Sequence, residues 1–315
     1  MIAYWGLKMP SAKTLFLERI HALQLSTSID AVTNKSLSDL NHNNVAKLLR
    51  NGLAVVGFAA LEDFIKSRTS EVLIEVGRTG VAFHRLPEKL RNAATYEAIS
   101  ALSYQLSIRP KSDRATYLQE QALKLASTAT TAYELTPHAF AYDKANVQDE
   151  AIKSILSSFL VDDPWAEMTR LASRIGLVGL PLAETFKSAA MRRHRAAHVA
   201  HADTPQTDLA QFVKEAFAIA IGFDALLTKA LACLRGHDGQ YLNGNKKLKA
   251  SDIRIRTVKL DDNRWRERVE GRSSAIKIER NLEDLIVHTK ARAASAKDLL
   301  IQHNENGGVL LWECH

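Results

Sequence analysis

The stretch RRHRAAHVAH, residues 192–201, places three arginines and three histidines within ten residues. No Gly or Pro interrupts it, so the spacing predicts a helix. Histidine titrates near neutral pH and can move protons, while the planar, always charged guanidinium of arginine binds phosphate. RNA carries its own nucleophile, the 2′-OH, so its cleavage needs only a base, an acid and a cation beside the phosphate. These residues therefore predict metal-free chemistry on RNA.

Two other interpretations of the stretch stay open. His194, His198 and His201 stand at i, i+4 and i+7, which would place them along one helix face and could let two of them share zinc. The metalloprotease motif HExxH needs Glu directly after the first His, and Arg195 holds that position. We therefore expect no metal and no cofactor. The other interpretation is a solvated helix face without chemistry.

Spacing also indicates how the site would be assembled. Arg193 and His198 are five residues apart, which is about 140° around a helix of 3.6 residues per turn. They do not share one stripe, although a long arginine side chain can bend toward the same cleft. Two copies of the chain facing each other would build a composite pocket.

The composition is that of an ordinary globular protein with a basic charge. Of 315 residues, 46% are hydrophobic and 24% are charged, and the formal net charge is +7. A basic chain favours a polyanionic partner such as nucleic acid or an anionic membrane surface, and an evenly basic surface that aids solubility is the other interpretation. Two distant cysteines form no disulfide framework, and neither a signal peptide nor a membrane span is expected. These features predict a cytoplasmic protein without a membrane partner.

Hydrophobic periodicity predicts a mainly α fold, with a helical domain over 1–235, a linker over 236–250 and a small basic α+β domain over 251–315. The clearest helix begins near Asp208, and the histidine stretch ends a helix predicted over 182–201. Alternation predicts strands in IRIRTVKL, RWRERV, AIKIER and GGVLLWEC, with a helix over 281–303. Residues 246–297 hold 15 Lys or Arg and 8 Asp or Glu. This segment could contact a phosphate backbone, or it could be a solvated strand face.

Several segments together resemble the HEPN superfamily. RHRAAH, Arg193 to His198, resembles its R-polar-x-x-x-H motif, with His194 where Asn is common. LLRNGLAVVGFAALEDFIKSR looks like the early helix of the family, and AIKSILSSFLVDDPWAEMTRL looks like the segment before the motif helix. The likeness covers roughly residues 40 to 235 and is strongest to the defence-associated RiboL-PSP-HEPN group.

The resemblance implies an antiparallel helical bundle that dimerises and a metal-independent endoribonuclease acting in phage defence or a toxin system. Arg193 would bind the phosphate, His198 would be the catalytic histidine and His194 the polar second position. Arg192 with His198, or Arg195 with His201, fit looser versions of the motif. Glu62 and Asp63 could orient the catalytic pair, although carboxylates at such positions are more often plain surface residues of a helix.

The implied partners are an RNA substrate, a second copy of the chain, and a regulatory or antitoxin protein. The alternative function is a non-catalytic module of the same fold that binds RNA or dimerises.

Overall fold

The computed structural model describes residues 10–140, 147–177 and 180–315. The fold is mainly helical, with a small mixed sheet near the C-terminus, as the sequence predicted. The helices are α1 Ala12–Ser26, α2 Leu40–Gly77, α3 Glu88–Asn92, α4 Ala98–Ile108, α5 Arg114–Ser127, α6 Asp149–Ser158, α7 Pro164–Arg174, α8 Leu182–His198, α9 Gln206–Arg235, α10 Gly239–Leu242 and α11 Leu282–Ala296. The strands are β1 Ile255–Asp261, β2 Arg264–Val269, β3 Lys277–Glu279, β4 Leu299–His303 and β5 Val309–Glu313.

Helix α9 forms the centre of the bundle. Nineteen of its 30 residues are buried, and α1, α2, α7 and α8 pack around it. By length and composition α9 could cross a membrane, but 89% of its most apolar window is buried inside the bundle. The helix is therefore placed like the core helix of a soluble protein.

Helix α2 is the other long element, and it lies close to both α1 and α9. A Cβ at Gly57 would stand 2.6 Å from Leu23 of α1 and 3.1 Å from Phe212 of α9. Glycine at this position therefore permits the close approach of three helices. Helix α8 also packs against α2, where the rings of Phe58 and Phe186 lie 5.4 Å apart.

Two helix boundaries differ from those predicted. The helix expected over 182–201 ends at His198, so His201 lies outside it. The helix expected over 281–303 ends at Ala296, and the residues that follow form β4 in the middle of the sheet. Lys297 ends α11 with φ +55°, in the left-handed region where glycine is usual. The sequence has no glycine there to signal the break.

The strands form one sheet in the order β3-β2-β1-β4-β5, in which β1 and β4 are parallel and the other pairs antiparallel. Asp262 and Asn263, with φ +51° and +57°, make the tight turn between β1 and β2. Helix α11 covers one face of the sheet. The other face contributes Leu299, Ile301 and Trp312 to the core of the bundle.

A buried carboxylate fastens the sheet to the helices. Asp224 of α9 accepts hydrogen bonds from the indole Nε1 of Trp312 and the Nε of Arg68, both at 2.7 Å. Burial raises the pKa of Asp224, but Arg68 and Trp312 outweigh it and hold the pKa below its usual value. Trp312 is fully buried among the rings of Phe16, Phe64 and Phe217.

The segment 236–250, predicted as a linker, packs against the bundle. Tyr241 and Leu248 are fully buried. The hydroxyl of Tyr241 donates to the carbonyl of Phe159 at 2.8 Å, and the amide of Leu248 donates to the carbonyl of Leu160 at 2.8 Å. These bonds hold the segment against the turn that joins α6 and α7.

Ion pairs within the chain use most of the positive charge of residues 246–297. Arg256 is buried between Glu267 and Asp298, which are themselves fully buried. Ten of the fifteen cations pair with carboxylates: Lys246, Lys247, Lys249, Arg254, Arg256, Arg266, Arg268, Lys277, Lys290 and Arg292. The other five cations form no ion pair within the described residues, so the segment is less basic in effect than its sequence suggests.

We predict that His303 makes the protein less stable in acid. Burial, with a smaller effect of Lys259, lowers the pKa of His303 to about 4. Between about pH 6.5 and pH 4 the unfolded chain binds a proton that the folded chain does not, so the free energy of unfolding falls as pH decreases through this window. The loss should reach about 3 kcal/mol.

The control for this prediction is His303→Asn, which keeps a donor for the carbonyl of Gly307 that the Nδ1 of His303 contacts at 3.0 Å. Urea unfolding is measured from about pH 7 to about pH 4.5 on both proteins. The variant should lose less stability than the wild type across that range. Parallel pH profiles would contradict the prediction.

Candidate active site on helix α8

Helix α8 buries one side and exposes the other, and the motif lies at its C-terminal end. Leu182, Phe186 and Ala189 face the core. From His194 onward only Ala196 is half-buried, and the other residues of the helix are exposed. The folding of α8 onto α2 therefore leaves the histidines accessible to a large substrate.

The structure gives the three motif arginines different surroundings. Arg192 makes a 2.7 Å ion pair with Glu215 of α9, a carboxylate 13% exposed. Arg193 is half-buried on the side of α8 that faces α2. Arg195 is exposed and forms no ion pair within the described residues. Arg192 is thus engaged in helix packing, Arg193 interacts with the charge of Glu62, and Arg195 is exposed.

Glu62 lies opposite Arg193 on α2. Its side chain is buried and accepts the backbone amide of Val147 at 2.7 Å. Burial raises the pKa of Glu62, and the amide of Val147 and the charges of Lys66 and Arg193 oppose that rise. The charge of Arg193 therefore acts on the carboxylate of Glu62.

Asp63 has a different surrounding. Its carboxylate pairs with Arg19 of α1 at 2.5 Å, and both side chains are about half exposed. Successive residues of a helix point about 100° apart, so Glu62 and Asp63 face different neighbours. Asp63 is placed to hold α1 against α2, away from the arginines of α8.

His194 and His198 stand side by side near the end of α8. Their ring centroids are 4.8 Å apart, with the planes inclined at 50°. Both rings are exposed, and no carboxylate pairs with either within the described residues. One imidazole can accept a proton while another donates one, which is what cleavage by an internal hydroxyl requires.

His201 is separate from this pair. The helix has ended by Val199, and His201 lies exposed in the turn that follows. The i, i+4, i+7 arrangement considered for zinc is thus broken by the helix end. Among the described residues, no group of three His, Cys, Asp or Glu side chains is arranged to hold a metal ion.

Two residues of α2 that local sequence patterns do not indicate hold the loop after the histidines. Asn51 donates to the carbonyl of Ala202 at 2.8 Å and accepts the amide and hydroxyl of Thr204 at 3.1 and 3.0 Å. Arg50 is buried and bonds Asp203 at 2.7 Å and the carbonyl of Thr204 at 3.0 Å. We call these two residues the loop clamp.

Arg50 also joins a third segment to the loop clamp. Its Nη1 donates to the carbonyl of Val32 at 2.8 Å and to the side chain of Asn34 at 2.9 Å. A buried guanidinium needs several acceptors, and Arg50 finds them in two loops far apart in the chain. The signal in the sequence was an arginine at a core-facing position of the amphipathic helix α2.

A family model described as RiboL-PSP-HEPN matches residues 21–229. The chain belongs to the RiboL-PSP-HEPN family. The matched range runs from the second half of α1 into α9 and contains Glu62, the loop clamp and the whole motif helix. HEPN membership suggests a nuclease or another RNA-related role. The comparisons found no matching curated protein and no matching solved structure.

In this HEPN chain, Asn51→Ala should loosen the loop at residues 202–204. Removal of the amide leaves the buried backbone groups of Ala202 and Thr204 without their partner, at a cost of roughly 1–3 kcal/mol. Hydrogen exchange measured by mass spectrometry should show faster exchange of the amides around Thr204.

The matched control is Asn43→Ala on the same helix, since Asn43 bonds Lys35 and Ser36 instead. That variant should accelerate exchange near residue 35 only. Unchanged exchange around Thr204 in Asn51→Ala would show that the clamp does not hold the loop.

Proposed function

We propose that this protein is a metal-independent endoribonuclease. The observation that carries the proposal is the exposed pair of His194 and His198, beside Arg193 and Arg195, at the end of the motif helix. Family membership supports a nuclease or RNA-related role, and the pair supplies groups suited to proton transfer.

The proposed reaction uses the substrate's own 2′-OH. His198, as base, takes the 2′ proton while the 2′ oxygen attacks the phosphorus. The bond from phosphorus to the 5′ oxygen breaks, and a second imidazole, acting as acid, gives that oxygen a proton. The products are a 2′,3′-cyclic phosphate and a 5′-hydroxyl. Arg193 binds the phosphate and stabilises the charge of the transition state.

Two neighbours support these roles. Glu62 is a positioning residue, because its buried carboxylate lies where it can orient the guanidinium of Arg193. His194 supports His198 through their ring contact. Arg195 is the second candidate for the phosphate contact, and separate Arg193→Ala and Arg195→Ala variants distinguish the two by which one loses more kcat.

We predict that His198→Ala abolishes cleavage and leaves RNA binding intact. Loss of a general base or acid typically lowers the rate by 10²–10⁴. Labelled RNA is incubated with each protein in EDTA, and binding is measured in parallel. The matched control is His201→Ala, an exposed histidine past the helix end, which should cleave like the wild type.

Three other results would oppose the proposal. Binding without cleavage by wild type and variant alike would favour the non-catalytic RNA-binding module. Activity lost in EDTA and restored by zinc would favour a metal enzyme. A cleavage rate that is flat from about pH 5 to about pH 9 would exclude an imidazole base and acid, since their opposed titration gives a bell-shaped profile.

We propose that the active form is a homodimer with a composite site. Val45, Leu48 and Val56 form an apolar stripe on α2, and their side chains are 55%, 72% and 63% exposed. Gly52 lies within the stripe with no atom near its missing side chain. The neighbouring Asn51 holds the loop after the histidines, so the stripe runs beside the motif helix. A second copy on this stripe would bring its own histidines close.

The substitution Gly52→Gln tests the dimer. In a monomer it should be neutral or stabilising, because glycine in a helix costs up to about 1 kcal/mol. In a dimer the added side chain would hold the partner helix away, so light scattering should show a monomer and cleavage should fall. The control is Ser100→Gln, at an exposed position of α4. A dimer that survives Gly52→Gln with full activity would rule out this interface.

The biological setting is also a proposal, and the family resemblance supports it. The enzyme would act in the cytoplasm, in phage defence or a toxin system, under a regulatory or antitoxin partner. Sequencing of RNA ends after induced expression identifies the target. Expression without new cyclic-phosphate ends or growth arrest would count against this setting.

A further inference from the structure

A basic groove lies away from the motif helix, between the start of α3, the end of α6 and the loop after α10. Its volume is about 880 Å³. The lining includes the five permanent cations Arg85, Lys89, Arg91, Lys153 and Lys247, against the two carboxylates Glu88 and Asp163. His84 lies at the same surface. None of the residues proposed for catalysis lines this groove.

The cations of the groove differ in how far they are already neutralised. Lys153 and Lys247 make exposed ion pairs at 3.6 and 3.3 Å, which contribute little. Arg85 and Lys89 are exposed and make no ion pair with any described residue. The side chain of Arg91 donates to the carbonyl of Leu86 at 3.1 Å and makes no ion pair within the described part of the chain. With five cations against two carboxylates, the groove holds an excess of positive charge.

The walls of the groove are fixed by backbone hydrogen bonds. The amide of Asp162 donates to the carbonyl of Leu248 at 2.9 Å, and the amide of Leu248 donates to the carbonyl of Leu160 at 2.8 Å. The loop of residues 242–247 is therefore held against the α6–α7 turn. A preformed groove binds a ligand without the cost of ordering its own walls.

Helix α6 connects the groove to the candidate active site. It begins at Asp149, whose carboxylate pairs with Lys187 of α8 at 3.4 Å. Val147, two residues earlier, donates its backbone amide to the side chain of Glu62. It ends at Ser158, beside the groove-lining residues Ser157 and Leu160. Ten residues at 1.5 Å each place the two ends about 15 Å apart, a span that several nucleotides can cover.

We propose that this groove binds the phosphate backbone of single-stranded RNA at a distance from the cleaved bond. The inference rests on the proposed function for its choice of RNA. Exposed lysine and arginine side chains without base-reading partners would contact phosphates of any sequence. The groove would raise affinity for longer RNA and leave the chemical step unchanged.

The test is the double variant Arg85→Ala/Lys89→Ala. The matched control is Arg264→Ala/Arg272→Ala, which removes two exposed cations, also without ion pairs, from the C-terminal unit. All binding is measured in a His198→Ala background, so that cleavage does not interfere. The probe is a labelled oligouridylate of about 16 nucleotides, measured by fluorescence anisotropy at several salt concentrations.

The groove variant should bind more weakly, and the slope of log K against log salt should fall by about 1.4, at about 0.7 for each lost phosphate contact on a single strand. The control should keep the slope. Equal slopes in both variants, or displacement of the probe by uridine monophosphate as effective as by RNA, would overturn the proposal. Thermal melting confirms that both variants are folded.

Cleavage assays separate this proposal from the proposed function. With His198 intact, the groove variant should show a raised KM for long RNA, an unchanged KM for a dinucleotide and an unchanged kcat. A protein that binds RNA through the groove but never cleaves it would retain this inference and lose the nuclease. Cleavage of long RNA with an unchanged KM in the groove variant would retain the nuclease and overturn this inference.

Discussion

Helix α9 is apolar around most of its circumference, and the rest of the molecule is arranged to cover it. Burial of such a helix is favourable only if neighbouring elements surround it and its polar groups find partners. Four helices supply most of the cover, and Trp312 of the sheet supplies more. Two carboxylates of α9 that face its neighbours then determine which cations pack against this helix. Asp224 binds Arg68, and Glu215 binds Arg192 of the motif helix.

This constraint bears directly on the candidate site. The rotation of α8 about its own axis follows from the burial of Phe186 and Ala189 together with the ion pair between Arg192 and Glu215. That rotation places Arg193 toward Glu62 and leaves His194 and His198 in solvent. The loop clamp fixes the chain just beyond the histidines from the other side. The exposed imidazoles thus rest on a support whose interactions are mostly buried.

The helical fold and the position of the motif could be predicted from the sequence, whereas the contacts around the motif could not. Hydrophobic spacing predicted the long helices because α2 and α9 repeat apolar side chains over many turns. The strand β4 was missed because its apolar run follows α11 without a glycine, and Lys297 takes the left-handed turn instead. Glu62 and Asp63 could not be separated without knowing which neighbour each side of α2 faces. The roles of Arg50 and Asn51 depend on contacts about 150 residues away in the chain, which local patterns do not reveal.

The anchoring of Trp312 on Asp224 also has a consequence during protein synthesis. The chain leaves the ribosome from its N-terminus, so α9 emerges well before the last strand. Until Trp312 arrives, the carboxylate of Asp224 and the rings around it lack one of their partners. The nascent bundle therefore completes its core only after translation has passed residue 312.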